Sequence, residues 1–401
     1  MSDWDRVELG TVCTFRAGSA FSPDLQGRPA GDLPFIKVSD LSLAGNDPFI
    51  RRSNNWVSHE TAESIKARAV EPNSVVFAKI GEGLKSERIR MTTMPTLLDN
   101  NLMAATARPG LDPMFMLYLF SVVGLSSWAA GSALPYLRQG DLVKIPVDLP
   151  SLDEQRRIAE VLGALDDLID TNERLGLRLT EAASAIGQRL LLEISSGVPR
   201  SVEDIATITK GYSYKSAELV EGDGWLVGLK NVGRHGVFRP DGFKPLSAKV
   251  KPAHVVVNGD LVVAQTDLTQ AREVIGRPVR VRRGKREGLL VASLDLAIVR
   301  PSEGVSGQFI QSVLESVDFR DHVLGFCNGT TVLHMGARAI PSFPVVLPGA
   351  ELMARFEALL PLRDAADEAF ETAESLRKTR DELLPLLMSG AVRVRPKGVA
   401  A

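Results

Sequence analysis

The chain says the same thing twice, with a unit close to half of its 401 residues, and this constrains the fold more than any single motif. Residues 31–41 (GDLPFIKVSDL) are answered by residues 222–232 (GDGWLVGLKNV), and residues 73–80 (NSVVFAKI) by residues 259–266 (GDLVVAQT). Residues 97–109 (LLDNNLMAATARP) match 289–301 (LLVASLDLAIVRP), and 131–150 (GSALPYLRQGDLVKIPVDLP) match 329–348 (GTTVLHMGARAIPSFPVVLP). Each match is weak alone, but the four come in the same order. Within each half, short β-branched runs alternate with Gly and Pro punctuation, the pattern of a small mixed β-rich domain. Residues 113–130 and 306–324 read as its supporting helices.

A long helix follows each half. Pro150 stops what precedes the first, and Ser151 with Glu154 has capping-box spacing. Ile158, Leu165, Asn172, Leu179 and Ile186 then recur at sevens, with Val161, Leu168, Leu175 and Ala182 at the other seam position. Such a narrow seam suits packing on one partner helix, and Asn172 within it suits fixing the register. The second helix is expected from Glu351 to about Met388, with Leu352, Phe356, Leu359, Ala366, Phe370, Ala373, Leu383 and Leu387 as its apolar stripe. Both end alike, LLLEISSG and LLPLLMSG, on a C-terminal glycine. About 40 helical residues span on the order of 60 Å, enough to hold two domains apart. The expected fold class is therefore α+β: two β-rich mixed domains (1–150 and 198–349) joined by two long antiparallel coiled-coil helices (151–197 and 350–390). A basic tail (391–401) completes an internal repeat with approximate two-fold symmetry.

The formal charge of −2 hides a division. Residues 152–193 and 350–389 each carry nine acidic and five basic side chains, whereas residues 199–349 carry 19 basic against 15 acidic, and the tail adds three more cations. The first domain, residues 1–151, is near neutral with 15 basic and 16 acidic. A basic second domain masked by acidic helices keeps nucleic acid in play as a partner. The two cysteines, Cys13 and Cys327, read as reduced thiols. The opening MSDWDRVELG lacks the basic and apolar parts of a signal peptide, and no apolar run reaches membrane-spanning length. The expected location is the cytoplasm, with no membrane partner.

Catalytic patterns fail one by one. KIGEGLKS (residues 79–86) has the ingredients of a phosphate loop, but Leu84 separates Gly83 from Lys85 and breaks the Gly-Lys-Ser run. Its repeat partner QTDLTQARE has no glycines. His59, His235, His254, His322 and His334 show no metal-ligand spacing, and no nucleophile elbow or dinucleotide fingerprint occurs. The chain reads as non-catalytic, with no cofactor and no metal. Basic loops remain. Lys79, Lys85, Arg88 and Arg90 fall within twelve residues of the first half, and Arg277, Arg280, Arg282, Arg283, Lys285 and Arg286 within ten of the second. If residues 278–283 form a strand, Arg280 and Arg282 share a face. A second matched loop pairs Ser132, Tyr136 and Arg138 with Thr330, Thr331 and His334. Such groups can neutralise phosphates and read base edges.

The passage IPVDLPSLDEQRRIAEVLGALDDLID resembles the conserved region of specificity subunits of type I restriction–modification enzymes. Ile145, Pro146, Leu149, Pro150, Glu154, Gln155 and Ile158 carry the resemblance. It extends over the whole chain through the repeat and the second helix, although the second copy lacks the Glu-Gln pair. The resemblance implies two target-recognition domains that each read one half of a split DNA sequence, and a coiled coil that sets the spacer between them. It also implies modification (methyltransferase) subunits that methylate adenine, and restriction subunits that translocate and cleave with ATP. A non-catalytic adaptor, two protein-binding modules on a helical strut, is the competing reading.

Overall fold

The computed structural model describes residues 4–43, 45–131, 133–233, 236–268, 272–329 and 332–395. The chain forms two compact units: residues 1–171 with 373–401, and residues 172–372. Each unit therefore holds one β-rich half and a part of each long helix.

The repeat is visible strand by strand. In unit 1, Leu102–Ala107 lies between Cys13–Ala17 and Val75–Ala78, antiparallel to both, and the sheet continues through Arg90–Thr92 to Phe49–Ile50. In unit 2, Leu296–Pro301 lies between Ala206–Lys210 and Leu261–Ala264, and Pro278–Arg280 forms the edge. A second sheet in each unit is built on one parallel pair, Leu33–Ile36 with Leu97–Leu98 and Gly224–Val227 with Leu289–Ala292. The ends of each half close as an antiparallel ribbon, Asp5–Glu8 with Pro146–Leu149 and Val198–Ser201 with Pro344–Leu347. Even a steric detail recurs: a Cβ at Gly18 would lie 2.0 Å from the Asp99 carbonyl oxygen, and one at Gly211 2.1 Å from that of Ser293. Only glycine lets the first strand cross so close to the start of the central one.

Several expected elements are shorter than their sequence runs. The helix expected over 113–130 is Pro113–Val122, capped by Asp112 and stopped at Gly124, whose φ of 65° is left-handed; a 3₁₀ turn, Leu125–Trp128, follows. The helix expected over 306–324 is two, Gly307–Leu314 and Val317–Gly325, each started by its own serine cap, Ser306 and Ser316. The strand expected over 278–283 ends at Arg280.

The central helix runs unbroken over Leu152–Leu192. Ser151 Oγ accepts the Glu154 N–H at 3.4 Å, but the Glu154 carboxylate turns to Arg393 at 3.3 Å rather than closing a capping box. Its buried seam is a heptad, but not the expected one. Leu162, Ile169, Gly176, Ala183 and Leu190 are buried at sevens, joined by Ala159, Asp166 and Gly187. Of the expected seam only Ile158 is fully buried. Leu165, Asn172 and Leu179 are half-buried, while Leu168 (49 %), Leu175 (48 %) and Ile186 (44 %) are exposed. The seam alternates large and small: Leu162, Ile169 and Leu190 are buried with Ala159, Gly176, Ala183 and Gly187, while Leu168, Leu175 and Ile186 stand on the neighbouring flank. The last helix is two pieces, Ala350–Glu357 and Leu360–Met388. Pro361 explains the break, because it has no N–H to donate back to the Glu357 carbonyl and suits a first turn. Phe356, Leu359, Ala366 and Ala373 are buried and Phe370 is half-buried.

The two units attach their helices through polar clamps, buried at Gln155 in unit 1 and part-buried at Ser306 with Glu357 in unit 2. In unit 1 Gln155, 1 % exposed, accepts the Asp112 N–H at 2.9 Å and donates to the carbonyls of Gly110 (3.1 Å) and Pro150 (2.9 Å). That ties the start of the central helix to the cap of Pro113–Val122. In unit 2, where the Glu-Gln pair is missing, Ser306 Oγ donates to Glu357 at 2.5 Å and ties the corresponding cap to the other helix. Truncating Gln155→Ala leaves the part-buried Asp112 N–H and the buried Pro150 carbonyl without this partner, and is expected to destabilise unit 1 by about 1–3 kcal/mol. Urea unfolding of the full chain measures this, and a loss below about 0.5 kcal/mol would contradict the clamp.

Candidate nucleic-acid interface

In unit 1 the two expected loops meet. Val75–Ala78 exits into Lys79 and the short helix Gly81–Lys85, and the return loop bonds back onto it: Leu137 N–H to the Lys79 carbonyl (2.8 Å) and Gly81 N–H to the Pro135 carbonyl (2.8 Å). The glycines of KIGEGLKS serve packing. Gly81 is left-handed (φ 67°), and a Cβ at Gly83 would lie 2.6 Å from Val38 Cγ1. Lys85 is exposed and pairs with Glu82 at 2.5 Å, which leaves its charge at the surface, and Arg88 is exposed beside Ser86. Arg138 lies over the Tyr136 ring at 5.1 Å and donates to its hydroxyl at 2.6 Å, an exposed stacked cation. Two large apolar side chains not singled out from the sequence, Trp128 and Leu134, are exposed in the same segment. Arg90 differs: its side chain is largely buried, held by Asp47 (3.3 Å) and the Leu41 carbonyl (3.2 Å), and burial lowers its pKa. It braces the edge of the sheet rather than facing solvent.

Unit 2 repeats the meeting of loops and splits the basic stretch. Thr266–Asp267, just beyond Leu261–Ala264, pairs with Leu333–Met335, so Thr266 faces the exposed His334 across the ladder. Arg277 is half-buried, donates to the Glu273 carbonyl at 2.6 Å, and has its pKa lowered by burial. Arg320, which the sequence did not mark, bonds the carbonyls of Ile275 and Arg272 and holds that loop on the helix Val317–Gly325. Arg283 ties the following turn through the carbonyls of Arg286 (3.2 Å) and Gly288 (2.6 Å). Arg286 stacks on Phe243 at 4.4 Å and Trp225 at 5.8 Å, and Lys285 is exposed between them in sequence. Ser132, Thr330 and Thr331 lie outside the described residues.

Arg280 and Arg282, expected among the cations that meet phosphates, are turned inward. Arg280 donates to Asp367 at 2.8 Å and Asp364 at 2.5 Å. Arg282, with 5 % of its side chain exposed, donates to the Phe238 carbonyl at 2.5 Å and lies 4.6 Å over the Phe370 ring. Arg282 lies beyond the strand, yet both side chains turn to the helix that carries Asp364, Asp367 and Phe370.

Among the described residues no three His, Cys, Asp or Glu side chains converge as metal ligands would, and no helix is long and apolar enough to cross a membrane.

Comparison with known proteins agrees with this architecture. A family model described as the type I restriction modification DNA specificity domain matches residues 1–181. The type I restriction enzyme MjaVIII specificity subunit of Methanocaldococcus jannaschii is 22 % identical, over 98 % of this chain and 94 % of that one. The MjaIX specificity subunit of the same organism is 20 % identical with the same coverage, 98 % and 94 %. Among solved structures, the S subunit of a type I restriction–modification system from M. genitalium has a TM-score of 0.59 at 14 % identity, covering 96 % of each chain. That structural likeness shows the fold.

Asp367 gives unit 2 a pH signature. Burial pushes its carboxyl from the ordinary 3.8 up to about 6, against the pull of Arg280 and Arg282 and with the help of Asp364 and Glu371. The native protein thus keeps a proton there, between those two values, that the unfolded chain has released. Stability from this group is present at the acid end and is lost as pH rises through about 6. Asp367→Asn, which cannot titrate, is expected to flatten that segment of the stability–pH curve. Urea unfolding from pH 4.5 to 7, a window of about 2.5 units chosen around the shift, measures it; an unchanged slope contradicts the assignment.

Proposed function

We propose that the chain is a specificity subunit of the type I restriction–modification kind, which reads a bipartite, asymmetric DNA target and directs modification and restriction subunits to it. One half-site falls to residues 1–150 and the other to residues 198–349, as target-recognition domains. The observation that carries this reading is the repeated junction of a strand-exit loop with a return loop, present once in each unit with different side chains. Equivalent scaffolds with unlike loops are what two unlike half-sites require. Lys79, Lys85, Arg88 and Arg138 are the proposed DNA contacts of unit 1, and Arg277, Arg283, Lys285, Arg286 and His334 those of unit 2. The chain contributes no chemistry of its own in this reading and works in the cytoplasm. The methyl transfer and the ATP-driven steps belong to the partner subunits.

Partner binding falls to the helices. Leu168 in unit 1, with Asp166 and Asp167 beside it, and Leu175 and Ile186 in unit 2 stand exposed on the central helix. Large apolar groups on one flank of a helix, here seven and eleven residues apart, suit a further helix better than a phosphate backbone. The adaptor reading lacks a use for the exposed cations Lys85, Arg88 and Arg138 of unit 1 and Lys285 of unit 2.

Binding of duplex DNA by the full chain should weaken steeply with salt. Lys85→Gln with Arg138→Gln should weaken it for all sequences and lower the log–log salt slope by roughly 1–2, since each phosphate contact contributes about 0.9. A salt-independent affinity, or none, would favour the adaptor.

The unbroken central helix is the proposed ruler. Inserting two turns within residues 158–186 lengthens it by about 10 Å, or roughly three base pairs. The number of unread base pairs should rise while both half-sites stay the same, as read by mapping methylated adenines in cells that also express the modification subunit. An unchanged spacer in a folded insertion variant sinks the ruler.

A further inference from the structure

Arg280 and Arg282 look like the most DNA-suited pair in the sequence, yet both spend their donors inside unit 2. Arg280 spreads its guanidinium over two carboxylates one helical turn apart, Asp367 at 2.8 Å and Asp364 at 2.5 Å. Arg282 covers the Phe370 ring and bonds the Phe238 carbonyl. Phe370 is itself fixed, because its ring atoms lie only 2.9 Å from where a Cβ at Gly176 would be. Edge strand, hairpin loop, last helix and central helix are thereby joined through one charged and aromatic contact. A buried ion pair of this kind adds little stability, because desolvation offsets the attraction, but its directional bonds favour one docking over others. The planar fork of arginine suits two carboxylates at once, which an ammonium cannot match.

We propose that Arg280 is a positioning residue: with Arg282 it fixes the unit 2 target-recognition domain in one orientation on the helix segment carrying Asp364, Asp367 and Phe370, and it makes no phosphate contact. The statement about phosphate rests on the DNA-binding reading above; the statement about orientation does not.

The test uses the full chain with spin labels at Val257→Cys, exposed on the β-rich part of unit 2, and Glu368→Cys, exposed on the helix, in a Cys327→Ser background. Wild type at position 280 should give one narrow distance distribution. R280Q should broaden or split it, and R280K, which keeps the charge and the fold but loses the fork, should broaden it as well. D364N removes only the more exposed bond and should broaden it less. In parallel, R280Q should keep the wild-type salt slope of DNA binding, whereas K285Q lowers it by about 0.9. A distribution that stays narrow in both R280Q and R280K overturns the positioning role. A salt slope that falls by about 0.9 in R280Q makes Arg280 a phosphate contact and also overturns the proposal. If R280Q does not fold, R280K and D364N carry the distance measurement. If the wild-type chain shows no salt-dependent DNA binding, the proposed function fails while the distance measurement still decides the orientation.

Discussion

Close approach at the helix seams is the constraint on which the rest of each unit depends. A Cβ at Gly187 would lie 2.3 Å from Ser312 Oγ, and one at Gly176 2.9 Å from the Phe370 ring. Ala159 and Ala183 are buried on the same stripe. Leucines at these positions would hold the neighbouring elements apart by a side-chain layer and pull every polar contact of the seam out of range. With small residues there, Tyr118 reaches Asp166 at 2.7 Å in unit 1, and Arg380 closes on the same carboxylate at 2.7 Å. In unit 2 Arg363, almost fully buried, pairs with both oxygens of Glu315 at 2.8 and 3.1 Å. Burial of so many charges is tolerable only because each finds a hydrogen-bonded partner.

The two units solve one attachment problem with different residues. Gln155 clamps the cap of Pro113–Val122 in unit 1, and Ser306 with Glu357 clamps the corresponding cap in unit 2. Directional bonds of this kind specify one arrangement of domain on helix where apolar packing alone would allow several. Under the proposed function, that is a division of labour. Scaffold and clamp hold the loops in place, and the loops are free to differ.

The presence of strands was legible because short β-branched runs between Gly and Pro survive in a single sequence, and the repeat doubled that signal; their order in the sheets was not. The long helices were legible from their caps and sevens. The seam of the central helix was not, because counting leucines points to Leu165, Leu168, Leu175 and Leu179, whereas the buried stripe holds Asp166, Gly176 and Ala183. Leu162, Ile169 and Leu190 share that stripe, but the glycine, alanine and aspartate between them carry no hydrophobic signal, so the exposed leucines beside it set the apparent period. The basic loops were legible as charge but not as direction. Nothing near Arg280 in sequence foretells two aspartates 84 and 87 residues away on a helix. The Glu-Gln pair was recognised as a motif, but its work, one side chain bridging a helix start to a neighbouring cap, appears only when the fold brings Asp112 beside it.

The central claim is that this chain alone decides where a partner methyltransferase acts. The most direct measurement is single-molecule mapping of methylated adenine across the genome of cells expressing the modification subunit with and without this chain. The account predicts a split motif, two unlike half-sites separated by a constant number of unread bases, that is present only with the chain. Methylation that is identical in both strains would contradict it.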